Sequence, residues 1–209
     1  MKVLFVEAKN KLQEDEFNIS EFKELPEQLH ILYTIQYKSL ADLIKKQLEK
    51  THEIVCFEQI LGCSKIELKA SPLLISTGNF HALQLALSTD RTVYIYEQGK
   101  LRTIGKEEIR KLQAREKGKI TRFLFSENIG LIFSAKPGQR KTMAEIEEIK
   151  KHLKARFPEK SFYAFISDAV NFSELENFQI DFWLNFACPG LSLDSDRILN
   201  YERILDIEK

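Results

Sequence analysis

The chain has 209 residues, with 31 basic and 31 acidic side chains and therefore a formal net charge of zero. This balance argues against general binding to nucleic acids or anionic membranes, which requires a positive field. Hydrophobic residues make up 44% of the sequence, enough for one large or two small domains with real cores. No apolar run approaches the roughly 20 residues of a membrane-spanning helix. The N-terminal segment lacks the features of a signal peptide, so we expect a cytoplasmic protein.

Short apolar runs alternate with amphipathic segments along the chain. The runs predict buried strands at residues 3–6, 29–35, 53–57, 73–76, 93–96, 130–134, 162–166 and 182–186. Helical spacing of apolar residues predicts helices over residues 40–50, 80–87, 106–125 and 144–157, and Gly118 could interrupt the third of them. The order strand–helix–strand predicts parallel sheets with right-handed crossovers.

The order of elements in residues 30–57 recurs in residues 130–165. Each segment predicts a strand, a loop that contains a glutamine, a helix and a second strand, with Gln36 and Gln139 in corresponding loops. We therefore predict an α/β protein of two similar three-layer domains, with parallel sheets and flanking helices, over residues 1–117 and 118–209. Functional loops in such sheets lie at the carboxyl ends of the strands.

The sequence contains three cysteines, an odd number that argues against a disulfide framework and favours reduced thiols or metal ligands. Cys63 follows a glycine just past a strand, a position suited to a ligand or nucleophile, although a buried structural thiol is the commoner role. Cys56 lies inside that strand and fits the structural role better. Cys188 follows a strand in the second half of the repeat, so it could converge with Cys63 on an iron–sulfur cluster or zinc.

Two further strand ends carry polar segments. Residues 76–81 open a helix, where free backbone N–H groups could hold an anion or a carboxylate. His81 could donate a proton or contact a substrate there, although packing and capping are commoner roles for such a histidine. Residues 134–141 concentrate positive charge before another helix, which suits a carboxylate or a phosphate but also describes a solvated basic turn.

Together and in this order, the segments resemble the diphthamide synthase family, the 2-(3-amino-3-carboxypropyl)histidine synthases. The resemblance runs from about Val3 to Glu202 and rests on an ordered set of motifs rather than on any one of them. The motifs are Leu61-Gly62-Cys63, Gly78-Asn79-Phe80-His81, Lys136-Pro137-Gly138-Gln139-Arg140 and Ala187-Cys188-Pro189, accompanied by Thr34-Ile35-Gln36-Tyr37 and Leu199-Asn200-Tyr201-Glu202.

The resemblance implies three similar α/β domains around a central [4Fe–4S] cluster, each domain giving one cysteine, and this chain matches the second and third. Reduction of the cluster would cleave bound S-adenosylmethionine to a 3-amino-3-carboxypropyl radical, which adds to a histidine of translation elongation factor 2. The activity implied is that of a transferase of an unusual radical S-adenosylmethionine type. The resemblance implies Cys63 and Cys188 as cluster ligands, and Gly78, Phe80, His81, Gln139 and Arg140 as substrate-binding residues.

Three departures from the family pattern leave other functions open. The first domain and its cysteine have no match here, Gly190 stands where the family has an arginine, and Glu58 stands where it has a glycine. We therefore expect an oligomer, either of copies of this chain or with a partner polypeptide that supplies the first domain. The alternative is a non-catalytic accessory or electron-relay subunit beside a complete homologue. A degenerate module with another ligand, or zinc at Cys63 and Cys188, is a further alternative.

Overall fold

The computed structural model describes residues 19–61, 66–136, 140–205 and 207. The predicted strand at residues 3–6, together with Cys63 and Gln139, lies outside the described residues. The chain divides into two compact units between Gln113 and Ala114, in the same helix that contains the predicted boundary at 117/118. None of the described helices is long and apolar enough to cross a membrane.

The first unit contains a five-stranded sheet. Its strands are β1 (Gln28–Tyr33), β2 (Glu53–Gln59), β3 (Ser71–Ile75), β4 (Val93–Glu97) and β5 (Lys100–Ile104), in the order β2-β1-β3-β4-β5. Strands β1 to β4 pair in parallel, whereas β5 returns antiparallel through a turn in which Gln98 and Gly99 both have positive φ. The helices are α1 (Lys38–Leu48) and α2 (Phe80–Leu87), with 3-10 helices at Ile19–Glu24 and Ile35–Tyr37. Helix α3 (Lys106–Phe125) begins in this unit and ends in the second.

Alternation along the strands gives each face of this sheet its own apolar cluster. On one face Ile31 packs in a cluster with Ile44 of α1. On the other face Leu32 packs in a cluster with Leu85 of α2 and Ile109 of α3. The sheet therefore lies between two helical layers, as predicted.

The second unit repeats this plan. Its strands are β6 (Asn128–Ser134), β7 (Ser161–Ser167), β8 (Phe182–Asn185) and β9 (Ile198–Asn200), which form a parallel sheet in the order β7-β6-β8-β9. The helices are α4 (Met143–Arg156), α5 (Phe172–Leu175) and α6 (Glu202–Leu205), with a 3-10 helix at Pro189–Leu193. Because this order matches β2-β1-β3-β4 of the first unit, the predicted fold class with an internal repeat is confirmed.

Gly118 does not interrupt α3, which is continuous from Lys106 to Phe125. A Cβ atom added at Gly118 would meet nothing within 4 Å. Glycine inside a helix costs roughly 0.5–1 kcal/mol relative to alanine, so we expect Gly118→Ala to raise the free energy of unfolding by that amount. Urea unfolding measures the change. Gly78→Ala is the control and should destabilise, since Gly78 has φ +77°; a lowered urea midpoint for Gly118→Ala would contradict the prediction.

Candidate functional site

In both sheets the first strand of the unit lies inside the sheet, with the second strand on one side of it and the third strand on the other. The strand order therefore reverses between the first and third strands. In α/β proteins, ligands usually bind in a crevice outside the carboxyl ends of the strands at such a reversal. In the first unit the reversal lies between β1 and β3, and the segment with Gly78 follows β3. In the second unit it lies between β6 and β8, which precede Arg140 and Cys188 respectively. The described residues of the predicted site therefore follow strands that flank the two reversals.

The two predicted cluster ligands follow strands that do not correspond in the repeat. Cys63 lies outside the described residues, but the strand before it, β2, is an edge strand whose counterpart in the second unit is β7. Cys188 instead follows β8, the counterpart of β3. The internal repeat alone therefore does not relate one cysteine position to the other.

Cys188 occupies an exposed position just beyond β8. It directly precedes the 3-10 helix Pro189–Leu193, and its backbone carbonyl accepts hydrogen bonds from Asn185 Nδ2 at 2.8 Å and from the Leu191 N–H at 3.1 Å. The backbone is thus fixed by the strand before it and by the helix after it, while the residue remains open to solvent. An accessible thiol on a fixed loop has the donor chemistry of an iron–sulfur ligand, so Cys188 fits a cluster.

Two buried asparagines hold the loop of Cys188. Asn185 donates to Asn200 Oδ1 at 2.7 Å and accepts a hydrogen bond from the Ala187 N–H at 3.0 Å. Asn200 in turn donates to the Pro189 carbonyl at 3.1 Å and to the Ser192 hydroxyl at 2.9 Å. A buried network whose members are paired with one another favours a single backbone conformation.

A buried ion pair in α3 reaches the same loop. Lys119 is only 2% exposed, and its Nζ donates to the Ser192 carbonyl and lies 2.9 Å from Glu116 Oε1. The other oxygen of Glu116, Oε2, lies 4.0 Å from Arg203 Nε. Lys119 therefore ties the 3-10 helix after Cys188 to α3 through a charge that has both an ion-pair and a hydrogen-bond partner.

The segment after β3 differs from the prediction in one respect. The backbone N–H of Gly78 is not free, because it donates to Glu97 Oε1 at 2.6 Å. Arg102 forms an ion pair with the same carboxylate, with its Nε 3.4 Å from Glu97 Oε2. Its guanidinium also donates to Asn79 Oδ1 at 2.8 Å. The prediction of a free amide at Gly78 is therefore wrong. This amide does bind a carboxylate, but the carboxylate is that of Glu97 in the same chain.

Phe80 and His81 begin α2, and both are half-buried. Their rings meet edge to face, with centroids 4.9 Å apart. Burial lowers the pKa of His81 below its ordinary value of 6.5, because the imidazolium loses hydration there. The ring is therefore neutral at physiological pH and is better suited to contact a substrate than to donate a proton.

We expect the stability of the protein to fall as the pH drops below 6.5, partly through His81. The folded-state pKa is lowered, so the unfolded chain binds the proton more tightly and protonation favours unfolding. His81→Gln should therefore lose less unfolding free energy than the wild type between neutral and mildly acidic pH. Urea unfolding at pH values above and below 6.5 measures the loss of unfolding free energy in each protein. His152→Gln, at an exposed position, is the matched control substitution. Equal pH dependence in the wild type and His81→Gln would contradict the prediction.

Arg140 is exposed and lies just before Thr142, the N-cap residue of α4. Thr142 and Glu145 form a reciprocal capping box, in which the Thr142 N–H donates to Glu145 Oε2 at 2.6 Å and the Glu145 N–H donates to Thr142 Oγ1 at 3.3 Å. The hydrogen bonds from Thr142 lower the pKa of the Glu145 carboxyl. The capping box occupies two backbone donors at this helix end, whereas the exposed guanidinium of Arg140 has the chemistry to bind a carboxylate.

One cluster of chemically active side chains has no counterpart in the predicted site. His30 Nε2 lies 2.7 Å from Glu58 Oε1, and Cys56 Sγ donates to the same oxygen at 3.7 Å. Burial lowers the pKa of His30, although Glu58 acts in the opposite direction. Sequence patterns alone miss this group because it depends on the lateral pairing of β1 with β2; Cys56, predicted to be a structural thiol, belongs to it.

The model of the diphthamide synthesis protein family matches residues 1–205 of the chain. The chain belongs to this family. It is 26% identical to the 2-(3-amino-3-carboxypropyl)histidine synthase of Methanocaldococcus jannaschii, a match that covers 93% of this chain and 57% of that protein. The chain thus spans little more than half the length of this curated relative.

Solved structures of the family show the same fold. The crystal structure of Dph2 from Pyrococcus horikoshii matches with a TM-score of 0.74 and 26% identity, over 92% of this chain and 62% of that one. The crystal structure of the same protein with a 4Fe-4S cluster matches with a TM-score of 0.71 and 26% identity, over 90% of this chain and 58% of that one. The predicted membership of the diphthamide synthesis family is therefore confirmed.

Proposed function

We propose that this chain is part of a diphthamide biosynthesis enzyme that transfers a 3-amino-3-carboxypropyl group from S-adenosylmethionine to a histidine of translation elongation factor 2. The observation that carries the proposal is Cys188, an exposed thiol on a hydrogen-bonded loop, in a chain similar to a Dph2 that holds a 4Fe-4S cluster. An acceptor of this kind would place the reaction in the cytoplasm.

Cys63 and Cys188 would bind the cluster as thiolates. When bound, the [4Fe–4S] cluster supplies the electron that cleaves S-adenosylmethionine and so frees the group to be transferred. The chain's own contribution at Cys188 is to hold the thiolate in place, since Asn185 and Asn200 fix the backbone on both sides of it.

The substrate carboxylate would meet three kinds of donor: a backbone amide, a guanidinium and a hydroxyl. The Gly78 amide already holds a carboxylate, that of Glu97, and a substrate carboxylate would take its place. Arg140 would supply a guanidinium charge. Ser76, buried at the end of β3, has a hydroxyl without a hydrogen-bond partner among the described residues and is a further donor. Phe80, His81 and Gln139 complete the proposed substrate-binding set.

The third cysteine ligand is proposed to come from a partner polypeptide. The family resemblance implies three cysteines for the cluster. The thiol of Cys56 is not a proposed third ligand, because it donates a hydrogen bond to Glu58 in the first unit. We therefore propose an oligomer in which the partner supplies the family's first domain and its cysteine.

Anaerobic reconstitution of this chain with the polypeptide that carries the first domain tests the proposal. We expect a brown protein that cleaves S-adenosylmethionine on reduction. Cys63→Ala and Cys188→Ala should each remove that activity. A colourless mixture, or undiminished cleavage in either variant, would contradict the proposal.

A second candidate is a non-catalytic accessory or electron-relay subunit. Gly190, next but one after Cys188, favours it because the family's arginine at this position would place a cation near the cluster. Such a subunit should co-purify with a complete homologue, and that homologue alone should carry out the transfer to elongation factor 2. If no homologue co-purifies, the accessory role is excluded.

A further inference from the structure

The geometry points to a mononuclear metal site in the first unit, formed by His30, Cys56 and Glu58, for one divalent transition-metal ion such as zinc or ferrous iron. One ligand atom from each residue lies within 4.8 Å of the other two. The site shares no residue with the proposed cluster ligands Cys63 and Cys188.

A β-bulge in β2 brings the three side chains together. Leu29 pairs with Ile54, but the next residue, His30, pairs with Cys56, so Val55 has no partner in the register. Because side chains alternate between the two faces of a strand, the extra residue moves Cys56 and Glu58 onto the face that carries His30. Bulges often re-aim side chains at functional sites, and here the bulge assembles a nitrogen, a sulfur and an oxygen donor.

The three donors combine a buried anchor with an open side. The His30 side chain is 0% exposed, whereas the side chain of Glu58 is 45% exposed. Imidazole, thiolate and carboxylate together suit zinc or ferrous iron rather than calcium or magnesium, which prefer oxygen ligands alone. Three protein ligands with a solvent-facing side leave a fourth position for water.

The distances require one small adjustment on metal binding. Metal–ligand bonds of about 2.0–2.3 Å place neighbouring ligand atoms about 3.3–3.8 Å apart in a tetrahedral site. The 3.7 Å between Cys56 Sγ and Glu58 Oε1 already fits this range. The 2.7 Å between His30 Nε2 and Glu58 Oε1 must lengthen, and the half-exposed Glu58 side chain has room to turn.

Metal binding would replace two hydrogen bonds to Glu58. The thiol of Cys56 loses its proton to solvent, and the imidazole proton of His30 moves from Nε2 to Nδ1 so that Nε2 can coordinate. The long contact of 3.4 Å from the Lys69 N–H to His30 Nδ1 must then open. One proton is released for each ion bound, so the affinity should rise with pH.

Cobalt(II), a spectroscopic substitute for zinc, tests the site in a chain that carries Cys63→Ser and Cys188→Ser. Cys56 is then the only thiol in the sequence, so any thiolate-to-cobalt charge-transfer absorption comes from it. We expect one cobalt ion per chain with such an absorption, and its loss when Cys56→Ser is added. Since the double variant lacks both proposed cluster ligands, the outcome does not depend on the proposed function.

Glu58→Gln in the same background tests the carboxylate and should weaken cobalt binding by at least about tenfold. Glu53→Gln, at an exposed position on the same strand, is the matched control and should leave the affinity unchanged. Circular dichroism verifies that each variant folds. The absence of a charge-transfer absorption in the double variant, or an unchanged affinity in Glu58→Gln, would overturn the proposal.

Discussion

Replacing Cys188 with alanine is expected to reduce the cleavage of S-adenosylmethionine at least about 100-fold, because loss of a direct ligand should exceed the tenfold to 100-fold effect of second-shell changes. The fold should survive, since Cys188 is exposed and its hydrogen bonds to the loop use the backbone carbonyl. The measurement is the rate of cleavage on reduction of the reconstituted complex, together with the visible absorption of the cluster.

Ser173→Ala is the matched control for this variant. Ser173 is exposed in the second unit and has no proposed role in binding a metal or the substrate, so the cluster absorption and the cleavage rate should remain near those of the wild type. Equal losses in the two variants, or full activity in Cys188→Ala, would contradict the role assigned to Cys188.

Asn185→Ala is expected to lower the free energy of unfolding of the second unit by about 2–4 kcal/mol. The substitution removes one of the two partners of the Cys188 carbonyl and the partners of Asn200 Oδ1 and of the Ala187 N–H. Asn200 is only 8% exposed, so water does not readily replace the lost bond there. The fluorescence of Trp183, the only tryptophan of the chain and 2% exposed in this unit, follows the transition in urea.

The same variant should also hold the cluster less tightly, because the loop of Cys188 loses two of the hydrogen bonds that fix it. Asn177→Ala is the matched control: Asn177 is exposed, and its side-chain amide donates a long hydrogen bond of 3.4 Å to the Ser173 carbonyl. Its substitution should change the unfolding free energy by less than about 0.5 kcal/mol. A similar loss in both variants would show that the buried network does not stabilise this loop.

Regular elements with a strong apolar pattern could be predicted from the sequence. Helices α2 and α3 have the predicted bounds, and each predicted strand within the described residues is present. The prediction missed β5, in which Lys100 and Arg102 interrupt the apolar pattern, and β9, which has only three residues. Both depend on pairing with a neighbour strand, β4 or β8, for their position.

Strand-end motifs could also be located, since the carboxyl ends of parallel strands follow directly from the strand–helix order. Contacts between segments that are far apart in the sequence could not be predicted from it. The hydrogen bond from Gly78 to Glu97 requires β3 and β4 to be neighbours. The group of His30, Cys56 and Glu58 depends on a bulge that a local pattern does not reveal. The buried asparagines likewise become interpretable only once β8 and β9 are paired.

The most direct measurement is mass spectrometry of translation elongation factor 2 after anaerobic incubation with the reconstituted complex, S-adenosylmethionine and a reductant. We expect one histidine of the factor to gain the mass of a 3-amino-3-carboxypropyl group, and this gain to be lost in the Cys188→Ala complex. An unmodified factor beside active cleavage of S-adenosylmethionine, or modification that persists in Cys188→Ala, would contradict the proposed function.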